Sequence, residues 1–222
     1  MIRNIVFDMG NVLLDWDPRS RIRELKIPEG HQAIIFKELF CSPEWVMFDA
    51  GKIDQAGVVA RTQQRLEDHV RAGFYQAEAE EIPSMKEEIQ WIMDHPAELV
   101  RPIEEMQFLP GALEAKGYHT FLLTNASVLF RKYEHKIPSF RDLEGIFVSG
   151  EHRMLKPDAQ IYEALLSEFG LKAEETLFID DNPANVAGGI ICGIEGIVFE
   201  NDVDKLIKDL KRFGVEIGKE KQ

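Results

Sequence analysis

Four short stretches of this chain carry side chains able to do chemistry, and three of them close an apolar run. Asp8 follows Ile5-Val6-Phe7, Thr124-Asn125 follows His119 to Leu123, and Asp180-Asp181-Asn182 follows Leu177 to Ile179. The fourth, Lys156-Pro157, stands just ahead of a helical pattern. Taken singly, each has an ordinary explanation. A strand-terminal aspartate is commonly a turn former or a helix cap. Thr-Asn is a common turn, and a lone lysine is usually solvated. Asp180-Asp181 is different, because adjacent acids repel unless a cation or a base compensates them.

Together these residues fit phosphoryl transfer. A phosphate monoester brings about two negative charges, and a carboxylate nucleophile is repelled by it unless a cation intervenes. Three acids, Asp8, Asp180 and Asp181, suit Mg²⁺, a hard ion that takes oxygen ligands. Lys156 and the Thr124 hydroxyl can neutralise and orient the remaining phosphoryl oxygens. Asp8 can then attack phosphorus and form an acyl phosphate that water cleaves. Lys156 is expected at the solvent edge, where its loss costs little stability.

The elements that must bring these groups together are legible as alternating strands and helices. Apolar runs at Ile2 to Phe7, His119 to Leu123, Ile146 to Val148, Leu177 to Ile179 and Ile197 to Phe199 have strand length and no clean alternation, the pattern of buried parallel strands. Asp158 to Phe169 places Ile161, Leu165, Leu166 and Phe169 on one helical face, with Pro157 before it and Gly170 after it. Asn185 to Cys192 and Val203 to Phe213 also read as helices. The expected fold is α/β, a doubly wound, Rossmann-like parallel sheet. Ligands of such sheets bind beyond the carboxyl ends of the strands, where the four stretches lie.

Residues 16–95 break the alternation. Helical patterns such as Gln32 to Phe40 and Asp54 to Val70 are separated by breakers at Pro28-Glu29-Gly30, Ser42-Pro43 and Gly51. The expectation is a helical cap over 16–95 inserted after the first strand, with a core of 1–15 and 96–222. Leu109-Pro110-Gly111 falls where a helix should precede the second strand, and a kink or early stop is expected there.

The stretches FDMGNV (7–12), LLTNAS (122–127), LKPDAQIY (155–162) and FIDDNPANVAGG (178–189) resemble the haloacid dehalogenase superfamily, in its magnesium-dependent phosphatase branch. The resemblance spans the whole core. It implies Asp8 as nucleophile and metal ligand, the Gly10 carbonyl as a second ligand, and Thr124 and Asn125 as phosphate contacts. It further implies Lys156 as the cation facing the phosphoryl group, and Asp180 with Asp181 as the acidic metal site. The departure is Gly10, where most phosphatases of the superfamily carry a second Asp that protonates the leaving oxygen. The D-x-G-N-V form with a short helical cap most resembles a subgroup that includes bacterial α-D-glucose-1-phosphate phosphatases. A sugar phosphate such as glucose 1-phosphate is therefore the expected substrate, with Mg²⁺ as cofactor.

Loss of a general acid costs about 10²–10⁴ in rate. Asp15 and Asp17 lie near Asp8 in sequence, but are expected to cap the first helix before Pro18 or to be solvated. Trp16, Arg19, Trp45 and Asp49 are candidates for substrate selection by the cap. Two other readings stand beside the phosphatase: a 2-haloacid dehalogenase, in which the late acid pair would be an unhelpful charge, and a phospho-ligand-binding scaffold made inert by Gly10.

Composition is that of a globular protein, and the resemblance implies a small phosphorylated metabolite as the partner. The 222 residues carry a net charge of -13, which argues against nucleic acid and anionic membranes as partners. No apolar run approaches the length of a membrane span, and the N-terminal one is too short for a signal peptide, so the cytoplasm is the expected location. Cys41 and Cys192 are far apart and have no metal or redox spacing.

Overall fold

A computed structural model describes residues 1–217. Residues 218–222 of the expected core range lie outside it. In chain order the elements are β1 (Asn4–Phe7), β2 (Leu14–Asp15), α1 (Pro18–Glu24), α2 (Glu29–Phe40), α3 (Pro43–Asp49), α4 (Gln55–Arg71) and α5 (Ile82–Asp94). There follow β3 (Arg101–Pro102), α6 (Leu109–Glu114), β4 (His119–Thr124), β5 (Gly145–Val148), α7 (Ser149–His152) and α8 (Ala159–Phe169). The chain closes with β6 (Thr176–Asp180), α9 (Pro183–Ile191), β7 (Glu195–Val198) and α10 (Val203–Arg212).

The main sheet has five parallel strands in the order β5-β4-β1-β6-β7, the Rossmann-like α/β fold predicted from the sequence. Strand alternation divides the core. Ile5, Phe7, Leu122, Val148 and Ile179 point to one face, packed with Leu109 and Leu113 of α6 and Leu206 and Leu210 of α10. Val6, Phe121, Leu123, Phe147 and Phe178 point to the other, against Ile161, Tyr162 and Leu165 of α8. Both faces are dry, so the strands read as continuous apolar runs.

Helices α1–α5 lie between β2 and β3 and share a separate hydrophobic cluster that includes Ile22, Ile35, Leu39, Phe48, Leu66, Met85 and Ile92. The chain leaves and re-enters the core side by side, because β2 pairs antiparallel with β3: Leu14 with Pro102 and Asp15 with Arg101. A second contact lies at the far end of α3. Ser149 Oγ donates to the Asp49 carbonyl at 2.6 Å. Gly51, at φ 62°, sits so close to Gly150 that a Cβ would lie 2.2 Å from the Gly150 oxygen.

The kink expected at Pro110 does not occur. Leu109-Pro110-Gly111 opens α6, with Pro110 in the first turn, where a missing N–H breaks no helical bond. No helix of the described residues is long and apolar enough to cross a membrane.

Candidate active site

The carboxyl ends of β1, β4 and β6 meet at one crevice. It is lined by Asp8, Gly10, Thr124, Asn125, Lys156 and Asp181 from the sequence-derived set, with a volume of about 180 Å³. Asp180 lies at its floor, fully buried as the last residue of β6. Parallel registry explains the convergence: Phe7 pairs with Leu122 and with Ile179, so the residues that follow emerge at one level.

Lys156 is at the centre. Its Nζ lies 2.7 Å from Asp8 Oδ1 and 2.6 Å from Asp180 Oδ2, and donates to the Leu123 carbonyl at 3.0 Å. With 1% of its side chain accessible, it is not the solvent-edge lysine expected from the sequence. The β4 carbonyl and two carboxylates supply enough acceptors to hold an ammonium away from water. Burial alone would push Lys156 down, but Asp8 and Asp180 outweigh it and hold the lysine above its ordinary value. Asn125 grips the same residue by its main chain: Lys156 N–H donates to Asn125 Oδ1 at 2.9 Å, and Asn125 Nδ2 donates to the Lys156 carbonyl at 3.0 Å. One amide hydrogen of Asn125 remains for a ligand.

Asp180 is held by the Asn182 N–H at 2.8 Å and by Asn185 Nδ2 at 3.1 and 3.0 Å to its two oxygens. Asp181 accepts from Asn11 Nδ2 at 3.0 Å. Asn11 occupies the left-handed region, at φ 55°, and its Oδ1 also receives the Trp16 N–H at 3.1 Å. Sequence reasoning missed Asn11 and Asn185. The Gly10-Asn11 dipeptide was the available signal, since asparagine tolerates the left-handed turn. Asn185 offered none, being one polar residue in a helix.

Oxygens of Asp8, Asp180 and Asp181 lie within 4.8 Å of one another. Burial raises the Asp8 carboxyl to about 7, with Lys156 pulling it down and the neighbouring Asp180 pushing it up. Three carboxylates against one ammonium leave negative charge uncompensated, and the donors are all hard oxygens. That donor set fits Mg²⁺.

The remaining sequence candidates separate. Trp16, Trp45 and Asp49 line the crevice, joined by Tyr133. Trp16 and Trp45 stack with ring centroids 6.1 Å apart. Arg19 instead lies over the Phe36 ring, 5.9 Å from its centroid. Asp17 caps α1 through the Ser20 N–H at 3.0 Å, and Asp15 is paired with Arg21.

Comparison with known proteins shows which family the chain resembles. The chain is 27% identical over 173 residues to the chloroplast flavin mononucleotide hydrolase 1 of Arabidopsis thaliana, covering 78% of this chain and 63% of that relative's length. It is 26% identical to the sesquiterpene phosphatase astK of Aspergillus oryzae, over 86% of this chain and 87% of that protein. Its fold resembles an HAD family enzyme of Bacteroides thetaiotaomicron solved as an Asp-to-Ala mutant with magnesium and inorganic phosphate. The TM-score is 0.66 at 20% identity, covering 93% of this chain and 99% of that one. The family model for haloacid dehalogenase-like hydrolases matches residues 2–193. With that match running over most of its length, the chain belongs to the haloacid dehalogenase-like hydrolases.

Proposed function

We propose that this protein is a Mg²⁺-dependent phosphatase of small phosphate monoesters, acting through an aspartyl-phosphate on Asp8. The carrying observation is the convergence of Asp8, Asp180 and Asp181 around the buried Lys156 at the sheet's carboxyl edge. Asp8, Asp180, Asp181 and the Gly10 carbonyl would hold the ion. Bound there, Mg²⁺ offsets the repulsion between carboxylate and phosphate and polarises the phosphoryl oxygens.

The chain's own residues then have distinct tasks. Thr124 and Asn125 orient the phosphoryl group, and Lys156 neutralises it. An Asp8 oxygen attacks phosphorus, and the bond from phosphorus to the leaving oxygen breaks. Water then attacks the aspartyl-phosphate and releases inorganic phosphate. The segment 16–95 acts as a cap domain that selects the substrate. A crevice of about 180 Å³ accommodates a compact ester such as glucose 1-phosphate. The Trp16 and Trp45 rings at its wall suit a sugar face.

The test is hydrolysis of p-nitrophenyl phosphate and a panel of small phosphoesters with chelator and with added Mg²⁺. Activity should vanish in chelator and return with the metal, with glucose 1-phosphate ahead of flavin mononucleotide. Full activity in chelator, or halide release from 2-chloropropionate, would move the assignment to a dehalogenase.

A further inference from the structure

Gly10 leaves the site without the acid that protonates a leaving oxygen, and the two nearby acids do not replace it. Asp17 is spent on the α1 cap, and Asp15 faces Arg21 outside the crevice. The crevice does hold another acid, brought by the helical insert. Asp49, the last residue of α3, lines it together with Asp8, Thr124 and Lys156. We propose that Asp49 is the proton donor to the leaving oxygen, standing in for the acid that Gly10 lacks. This rests on the phosphatase reading above.

Three features support the assignment. First, Asp49 is tied to the core by its main chain. Ser149 Oγ, at the start of α7, donates to its carbonyl at 2.6 Å, and the Gly51–Gly150 contact locks the following turn. Both contacts join the insert to the core beside Ala126, whose N–H donates to the same Ser149 hydroxyl at 2.9 Å. Second, its place is right for the task. In an in-line displacement the leaving oxygen lies opposite the attacking Asp8 oxygen, and Asp49 and Trp45 line the same crevice as Asp8. Third, its environment keeps it protonated. Burial pushes the Asp49 carboxyl up to about 8, against the opposing pull of the Ser127 backbone and the Trp45 side chain. The C-terminal end of a helix further disfavours a carboxylate. Tyr133, the phenol in the same crevice, is a poorer donor, since burial raises it above its ordinary value.

The step balances. As Asp8 Oδ bonds to phosphorus and the ester P–O bond breaks, the leaving oxygen takes the Asp49 proton and departs as the alcohol. Asp49, now a carboxylate, accepts a proton from the water that attacks the aspartyl-phosphate. Phosphate leaves, and Asp8 and Asp49 return to their starting states.

The test compares kcat/KM for aryl and primary alkyl phosphates in wild type and Asp49→Asn, with Mg²⁺ present. p-Nitrophenolate departs without a proton, whereas an alkoxide needs one. The alkyl-to-aryl ratio should fall by about 10²–10⁴ in the variant, and the wild-type dependence on leaving-group pKa should be shallow. Asp49→Ser gives the same comparison should the amide impair folding. Equal loss on both ester classes, or no change, overturns the role of Asp49 while leaving the phosphatase reading intact. Absence of wild-type turnover on every monoester overturns that reading and this assignment with it.

Discussion

Asn125 holds Lys156 by the main chain at both ends, 2.9 Å from the lysine N–H and 3.0 Å to its carbonyl. A side chain at the end of β4 thereby sets where the lysine stem begins, and its Nζ reaches both Asp8 and Asp180. Replacing Asn125 by Ala removes both bonds while leaving the charges in place. Loss of about 1.4–2.7 kcal/mol of positioning lowers kcat roughly 10- to 100-fold. Steady-state kinetics on p-nitrophenyl phosphate measures it, and an unchanged kcat would show that the grip is dispensable.

Lys156→Met should remove turnover and also destabilise the protein. Breaking a buried pair leaves carboxylates facing one another without a counter-ion, at a cost of about 3–5 kcal/mol. Urea denaturation in chelator checks this. The penalty should shrink as pH falls, because the orphaned carboxylates take up protons. A variant as stable as wild type at pH 8 would contradict the buried pairing.

Metal binding should be visible without turnover. Mg²⁺ at 100 times its Kd adds about 2.7 kcal/mol to stability by mass action. The melting temperature should rise with added Mg²⁺ in wild type and rise less in Asp181→Asn, which loses one of the three clustered carboxylates. Equal shifts in both proteins would place the ion elsewhere.

Asp49 gives a stability profile of known sign. Its folded value, about 8, lies above the ordinary 3.8, so the native state keeps a proton that the unfolded chain has lost. Stability contributed by this group is full below 3.8 and declines as pH rises toward about 8. Asp49→Asn does not titrate. The variant should therefore gain on wild type through that window, reaching on the order of a few kcal/mol at pH 9. Of the groups sharing the crevice, Tyr133 feels the Asp49 charge, which helps hold its phenol above the ordinary value, so the variant also removes that contribution. A pH-independent difference in melting temperature would refute the buried, protonated carboxyl.

Gly51→Ala probes the contact between insert and core. An alanine methyl meets the Gly150 backbone, which has no flexible side chain to give way, at a φ that favours glycine. A destabilisation of about 1–3 kcal/mol is expected, with kcat/KM on alkyl phosphates falling as Asp49 is displaced. Wild-type kinetics in this variant would show that the contact does not position the acid.

Much of the candidate site was readable because Asp8, Thr124 and Asp180 stand at strand ends in a parallel sheet, and parallel registry brings strand ends together. Asp8, Thr124 and Asp180 needed only local pattern and that rule. Lys156 was found, but its burial was not, since the acceptors that shelter it come from Leu123, Asp8 and Asp180. Asp49 was read only as a candidate for substrate selection by the cap, not as an acid. Its position over the crevice arises from the packing of Gly51 on Gly150 and from a hydroxyl 100 residues away in sequence. No periodicity encodes that. Pro110 misled because proline breaks a helix interior yet opens a first turn, and the sequence around it did not mark where the turn begins.

The pairing of β2 with β3 has an evolutionary consequence. Asp15 and Arg101 are strand neighbours, so a short turn would close the chain between them and leave the five-stranded sheet uninterrupted. The helices can thus be exchanged as a cassette without disturbing Asp8, Lys156 or the late acid pair. In a relative whose acid sits at the position of Gly10, such an exchange alters selectivity alone. Here the cassette carries Asp49, and a new cassette would have to bring a proton donor of its own. Substrate choice and leaving-group chemistry would then be inherited together.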